Sequence, residues 1–170
     1  MKKIATIFMS VIMMTACSFA QKPAEVAAEG KPAPDFVLPD TDGKDVSLSS
    51  LQGKWVVLDF WGSWCGWCIK GFPQMKEYHK KYKKEVTFVG VACGDKMDKW
   101  TAALKKYDLP WLNLWNDPDG SNEILKVYGI QGFPTKLIID PEGVVRNITI
   151  GEDPKFYDVL TKLVKNKYLK

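Results

Sequence analysis

The sequence predicts an α/β domain with a central mixed β-sheet flanked by helices. Two nearly continuous apolar runs, WVVLDFW at residues 55–61 and VTFVGVA at residues 86–92, have the pattern of central strands covered on both faces. A segment with helical spacing of its apolar residues follows each run. Two later extended segments flank DPEG at residues 140–143, a turn sequence typical of a β-hairpin. Strands alternating with helices and ending in a hairpin and a last helix indicate this layered architecture.

Turn and cap residues delimit the individual elements. Pro73 is expected to kink the first helix, because proline has no N–H for the helical ladder. Gly129 stands where a left-handed C-cap is needed, and Asp153 is expected to cap the last helix. In chain order, the predicted strands are residues 36–38, 46–48, 55–61, 86–92, 136–140 and 144–150, and the predicted helices are residues 65–83, 96–107, 121–128 and 154–167.

Residues 1–20 are predicted to be a secretory signal peptide. Two lysines precede an apolar run at residues 4–14, which is shorter than the ~20 apolar residues of a membrane span. Cleavage after Ala20 would place small residues at positions −3 and −1. The alternative is a lipoprotein signal ending before Cys17, which would carry a lipid anchor, because MTAC at residues 14–17 resembles a lipobox. Both alternatives predict export to the periplasm or cell envelope, where disulfides persist.

The rest of the chain is predicted to form a linker at residues 21–30 and one domain at residues 31–170. The 170 residues are 46% hydrophobic and 12% aromatic, a composition that supports a core and excludes a disordered chain. Without the two lysines of the signal peptide, 22 of the 24 basic residues remain, and with 20 acidic residues the net charge is +2. That excess is too small to indicate nucleic-acid or membrane-surface binding. Four cysteines are too few for a disulfide framework.

The sequence Trp64-Cys65-Gly66-Trp67-Cys68 lies where a buried strand passes into a helix. Two cysteines three residues apart can close a small disulfide across one helical turn. A thiolate on Cys65 would face the free N–H groups and positive dipole end of the helix, which lower its pKa from ~8.5 to between about 3.5 and 7.5. Cys68, one turn further in, would be more buried. The motif therefore predicts that Cys65 is the nucleophile and that Cys68 resolves the mixed disulfide.

Three other interpretations of the CxxC motif fit less well. A structural zinc site needs a second ligand pair, which neither His79 nor Cys93 supplies at suitable spacing, so no metal is expected. Haem attachment needs His after the second cysteine, where Ile69 stands. A purely structural disulfide over three residues would add little chain-entropy stabilisation. Cys93 itself is expected to be a small buried hydrophobe, and a role as a third redox thiol stays open.

Several motifs resemble those of the thioredoxins, and more specifically their exported TlpA/ResA-like branch. LDFWGSWCGWC at residues 58–68 looks like the active-site strand and loop, Pro73 matches the family's helix proline, and GIQGFPT at residues 129–135 resembles the loop that ends in a cis-proline. APDF at residues 33–36 and LSSLQGK at residues 48–54 look like the opening of the TlpA/ResA-like branch, which belongs to the AhpC/TSA-related redoxin group. The resemblance runs from about residue 31 to the end, and implies an added helix and strand before residue 124.

The resemblance also implies roles for individual residues. Cys65 and Cys68 would be the redox-active pair, and Pro134 would be the cis-proline facing them. The backbone of Phe133 would pair with a substrate chain as a short β-strand, with Trp64 completing the substrate site. Asp59 would be the buried acid beneath the second cysteine, with its pKa raised by burial, and would move the proton when Cys68 attacks.

This sequence departs from the family pattern in places. Trp67 stands where many relatives have Pro, which leaves the direction of electron flow open. No lysine accompanies Asp59 on the strand that follows, since Gly90, Val91 and Ala92 occupy that region.

Together these features predict an exported thiol–disulfide oxidoreductase, with the reductase direction favoured. It would act as a monomer without a cofactor, on cysteine-containing proteins of the cell envelope and with a thiol redox donor. One alternative is a thiol peroxidase, although Gly62-Ser63-Trp64 before Cys65 does not match the Pro-x-x-x-Thr-x-x-Cys setting of that chemistry. The other is a non-catalytic binding module on the same fold. Copper carriers of that kind use a wider cysteine spacing and a downstream histidine.

Overall fold

The computed structural model describes residues 26–119 and 123–166 of the chain. In chain order its strands are β1 (Val37–Pro39), β2 (Asp45–Ser47), β3 (Trp55–Trp61), β4 (Val86–Cys93), β5 (Leu112–Asn116), β6 (Thr135–Ile139) and β7 (Val145–Ile150). Its helices are α1 (Gly66–Tyr82), α2 (Met97–Tyr107), α3 (Glu123–Val127) and α4 (Lys155–Asn166), and a 3₁₀ turn covers Leu48–Leu51. The predicted signal peptide, including Cys17 and Ala20, lies outside the described residues.

Within the described part of the chain, five strands form the central mixed sheet in the order β5-β4-β3-β6-β7. The middle strand, β3, is parallel to β4 and antiparallel to β6, while β5 and β7 form the edges. Every residue of β3 is buried, as expected for an apolar strand covered on both faces. The register places Asp59 of β3 between Gly90 of β4 and Lys136 of β6.

The two faces of the sheet carry separate halves of the core. Helices α1, α2 and α4 cover one face, where Trp61 packs in a cluster with Cys68, Phe72 and Tyr157. Helix α3 and the β1–β2 hairpin cover the other face. Because successive side chains of a strand alternate between faces, Asp59 lies on the same side as Trp61. A carboxyl group is therefore buried on the side of the sheet that carries both cysteines.

The predicted α/β fold with a mixed sheet and flanking helices is confirmed. Strand β3 has the predicted bounds, and β6 and β7 form the predicted antiparallel hairpin. Gly129 has a φ of +60° after α3, as its C-cap position requires, and Asp153 caps α4 by accepting a 2.9 Å hydrogen bond from the N–H of Lys155. Strand β5 lies in the stretch where the resemblance implied an added helix and strand.

Residues 26–30, which the sequence assigned to a linker, lie against the domain. The N–H of Ala27 donates a 2.7 Å hydrogen bond to the carbonyl of Val127, and that of Gly30 donates a 2.8 Å bond to Val145. Backbone pairing of this kind leaves no apolar period, which is why the composition of the segment did not predict it. The folded body therefore includes these five residues.

Candidate active site

The CxxC motif forms a disulfide at the first turn of α1. Cys65 is the N-cap of the helix and Cys68 lies inside it, with an S–S distance of 2.02 Å between them. The N–H of Cys68 donates a 3.1 Å hydrogen bond to Cys65 Sγ, so the Cys65 sulfur takes the place that a capping oxygen has in other helices. Cys65 is 5% exposed and Cys68 is 1% exposed. The helix start thus directs an N–H group and its dipole at Cys65.

A buried carboxylate holds the loop that leads into Cys65. Both the N–H and the hydroxyl of Ser63 donate 2.6 Å hydrogen bonds to the carboxylate of Asp95, which is 3% exposed. The indole N–H of Trp64 donates a 3.0 Å bond to the carbonyl of Cys93, at the end of β4. These bonds fix the two residues before Cys65 to the next strand and the loop after it. The sequence did not predict the role of Asp95.

The loop before β6 lies beside the CxxC motif. The Phe133–Pro134 peptide bond is cis, as the resemblance implied. The ring of Phe133 packs edge-on against the ring of Trp64, with 5.1 Å between their centroids, and Phe133 also packs against the cluster that contains both cysteines. The structure therefore brings Phe133, the residue before the cis Pro134, into contact with Trp64, directly before the CxxC motif.

Exposed apolar side chains lie beside the cysteines and near the loop before β6. Trp64 is 57% exposed and Trp67 is 64% exposed, although such rings are usually buried. Lys70 lies over the Trp67 ring at 4.3 Å from its centroid. Ile150, which borders the Pro134 loop at Gly132, is also exposed. Exposed aromatic side chains around a reactive group are typical of a surface that binds another protein.

A cluster of three titratable side chains is buried on the side of the sheet that carries the motif. Asp59 and Lys136 are register partners on β3 and β6, with 3.6 Å between Asp59 Oδ1 and Lys136 Nζ. Lys136 Nζ also donates a 2.6 Å hydrogen bond to Glu152 Oε2. Burial raises the pKa of Asp59, the nearby Lys136 ammonium opposes that rise, and the Glu152 carboxylate adds to it. The lysine beside Asp59 is thus Lys136 on β6, and not a residue of β4.

Cys93 is buried away from the disulfide. Its thiol is 1% exposed and donates to the carbonyl of Val91, and burial followed by the nearby carboxylates raises its pKa to about 12. In the described ranges it is the free cysteine, and no group of three metal-ligating side chains was found there. None of the helices in residues 26–119 and 123–166 has the length and apolar composition that crossing a membrane requires.

A CxxC disulfide at a helix start, beside a cis-proline loop on this sheet, defines the class of thioredoxin-like thiol–disulfide oxidoreductases. The AhpC/TSA family model matches residues 29–148, and the chain belongs to that family. The thiol-disulfide oxidoreductase ResA of Bacillus subtilis is 38% identical over 128 residues, which cover 75% of this chain and 70% of that relative. ResA of Bacillus cereus is 34% identical over 166 residues, covering 91% of this chain and 93% of that relative.

Solved structures agree with this assignment. The thioredoxin domain of a thiol-disulfide oxidoreductase from Bacteroides vulgatus has a TM-score of 0.75 at 30% identity, covering 81% of this chain and 98% of that one. A thiol:disulfide interchange protein from Bacteroides sp. has a TM-score of 0.74 at 30% identity, covering 82% of this chain and 91% of that one. The chain is therefore a thiol–disulfide oxidoreductase with a thioredoxin-like fold.

Proposed function

We propose that this protein is exported and exchanges electrons with cysteine pairs of cell-envelope proteins, with Cys65 as nucleophile and Cys68 as resolving thiol. The observation that carries the assignment of roles is the position of Cys65 as N-cap of α1, where Cys68 N–H donates to its sulfur. A thiolate is more stable at that N-cap position than it would be one turn further inside the helix. Residues 1–20 support export.

The proposed reaction has two steps. The Cys65 thiolate attacks one sulfur of a partner disulfide, which forms a mixed disulfide and releases the partner's first thiolate. Cys68 then attacks the Cys65 sulfur while its proton passes to Asp59. The bond between Cys65 and the partner breaks, and the partner's second sulfur leaves as a thiolate. The partner has gained two electrons, this chain holds the Cys65–Cys68 disulfide, and a thiol redox donor restores the dithiol.

The reductase direction is supported by the packing of the two sulfurs. Cys65 and Cys68 lie in an apolar cluster with Trp61 and Phe72. The helix start favours a thiolate on Cys65, but the apolar packing of both sulfurs opposes charge on the dithiol, and this second effect favours the uncharged disulfide and makes the dithiol a stronger reductant. We expect the midpoint potential of the pair to lie closer to about −270 mV, as in thioredoxin, than to about −120 mV, as in DsbA. Equilibration with dithiothreitol buffers, followed by thiol alkylation and mass spectrometry, measures it. A midpoint near the DsbA value would indicate an oxidase.

Asp59→Asn is expected to slow the resolution step without weakening the fold. General acid–base assistance contributes about 10²–10⁴-fold, so the rate at which Cys68 resolves a preformed mixed disulfide should fall within that range. Burial raises the pKa of Asp59 in the folded state. Ionisation of Asp59 therefore lowers the free energy of unfolding once the pH rises above the pKa that Asp59 has in the unfolded chain. Asn cannot ionise, so urea denaturation at neutral pH should show no loss of stability.

The matched control for this variant is Asp158→Asn, which makes the same change at an exposed position on α4. It should leave the rate of resolution as it is in the parent protein. An unaltered rate in Asp59→Asn between neutral and alkaline pH would reduce Asp59 to a structural group.

The mass of the mature chain isolated from the cell envelope distinguishes cleavage after Ala20 from lipidation at Cys17.

A further inference from the structure

Lys136 is much closer to Glu152 than to Asp59. Its Nζ donates a 2.6 Å hydrogen bond to Glu152 Oε2, while Asp59 Oδ1 lies 3.6 Å away. Asp59 Oδ1 is fully buried and has no hydrogen-bond partner among the described residues. Two carboxyl groups therefore share one ammonium, which forms a hydrogen-bonded ion pair with only one of them. The cluster is neutral only when it holds one additional proton, and the carboxyl without the close cation is Asp59.

Glu152 reaches this position because α1 has a glycine where the helix passes it. A Cβ at Gly71 would overlap the Glu152 carboxyl group, so a larger residue could not occupy this place without moving it. Gly71 follows Cys68 by three residues and lies on the same helix face, one turn along. A glycine in a helix interior is unfavourable by about 1 kcal/mol relative to alanine. The close approach of Glu152 to α1, one turn past Cys68, accounts for this glycine.

The charged and titratable groups around Asp59 come from every element packed against it. β6 contributes the Lys136 ammonium, and the segment after β7 contributes the Glu152 carboxylate. α4 contributes the hydroxyl of Tyr157 and β4 contributes the thiol of Cys93, both uncharged because burial and the nearby Asp59 carboxylate raise their pKa. α1 carries Cys68 on the face that packs against this side of the sheet. Among these groups Lys136 supplies the positive charge, and it lies between the two carboxyl groups.

We propose that Glu152 is a positioning residue of the exchange reaction: it holds the Lys136 ammonium away from Asp59, so that Asp59 can accept the Cys68 proton. This inference rests on the proposed function, in which Asp59 assists resolution. With Glu152 in place, Asp59 keeps a proton affinity suited to taking a proton from a thiol and releasing it again. Without Glu152, Lys136 would pair with Asp59, and the Asp59 carboxylate would become a weaker base.

The direct test is the titration of Asp59 in the oxidised protein, where Cys65 and Cys68 do not titrate. The ¹³C signal of the Asp59 carboxyl is followed against pH and assigned by its loss in Asp59→Asn. In Glu152→Gln the midpoint should move down by about one pH unit, a tenfold change in the protonation equilibrium. Glu142→Gln makes the same change at an exposed position at the other end of β7 and should leave the midpoint unmoved. An unmoved or raised midpoint in Glu152→Gln would overturn the proposal.

Two further variants separate this role from a structural one. Gly71→Ala should displace the Glu152 carboxyl and lower the Asp59 midpoint as Glu152→Gln does, although alanine favours the helix. Lys136→Met removes the cation and should raise the midpoint. Shifts of the same sign in Lys136→Met and Glu152→Gln would contradict the arrangement.

The rate of resolution is then measured against pH in the parent and in Glu152→Gln. The acid limb of the profile should move in the same direction as the titration, and the rate near neutral pH should fall, by at most about tenfold for a change of one unit in the pKa of the base. If the parent protein catalyses no exchange, the proposed function fails, while the titration still reports on the Glu152 pairing. If the parent is active and the titration shifts but the rate profile does not, Asp59 is not the proton acceptor and the positioning role is lost.

Discussion

Replacing Cys65 by serine is expected to reduce disulfide exchange to the uncatalysed rate. The thiolate is the attacking species, and a serine hydroxyl does not ionise at neutral pH even at the N-cap of α1. The variant should remain folded, because serine is among the preferred N-cap residues and can accept the hydrogen bond that Cys65 Sγ accepts from Cys68 N–H. Reduction of a disulfide-bonded model protein, followed in a single turnover, measures the effect.

The control for this experiment is Cys93→Ser, at the cysteine that lies outside the CxxC pair in the described residues. Its thiol is buried, and its pKa is raised to about 12, so it contributes no thiolate near neutral pH. Exchange in this variant should stay within about twofold of the parent, well inside the effect of losing a nucleophile. Full activity in Cys65→Ser would mean that Cys68 attacks the partner and that the assignment of roles is reversed.

Cys68→Ser is expected to trap the partner on Cys65 as a stable mixed disulfide. Cys65 keeps its position at the helix start and attacks as before, but the resolving thiol of this chain is gone, so the mixed disulfide is lost only when the partner's own thiolate returns. A band of higher mass on non-reducing gels, which disappears on reduction, should therefore accumulate in Cys68→Ser and not in the parent protein. Extracts of the cell envelope, analysed by mass spectrometry after reduction, would identify the trapped proteins.

The double variant Cys65→Ser, Cys68→Ser is the matched control, and it should trap nothing, because it has lost the attacking thiol. Trapping by the double variant would point to Cys93 or to nonspecific oxidation. If Cys68→Ser captures no thiol protein, although its Cys65 is alkylated readily at neutral pH, the binding-module alternative gains support.

The central elements were predictable because short-range patterns determine them. The run WVVLDFW is apolar enough to identify β3 by itself, and the CxxC motif lies where the strand passes into α1. The cap at Asp153 and the left-handed Gly129 depend only on neighbouring backbone groups. Such features need no knowledge of which strands are adjacent.

The partners of Asp59 could not be predicted in the same way, because they depend on strand order. The strand that follows β3 in the chain is β4, where Gly90 is the register partner of Asp59, whereas Lys136 comes from β6, the antiparallel strand on the other side. One signal was available: Lys136 interrupts an otherwise apolar strand, TKLII, and a lysine inside a buried strand requires a buried acid. Gly71 in the middle of α1 was a second signal, since such a glycine often marks a close approach.

The fit of the Glu152 carboxyl against Gly71 links two positions that lie 81 residues apart in the sequence. A side chain gained at position 71 would displace the Glu152 carboxyl, whereas a shorter residue at position 152 would leave room for it. The two positions are therefore expected to change together during divergence, although no hydrogen bond joins them. A substitution at one of these positions that is neutral in a relative could be harmful here, because its effect depends on which residue occupies the other position.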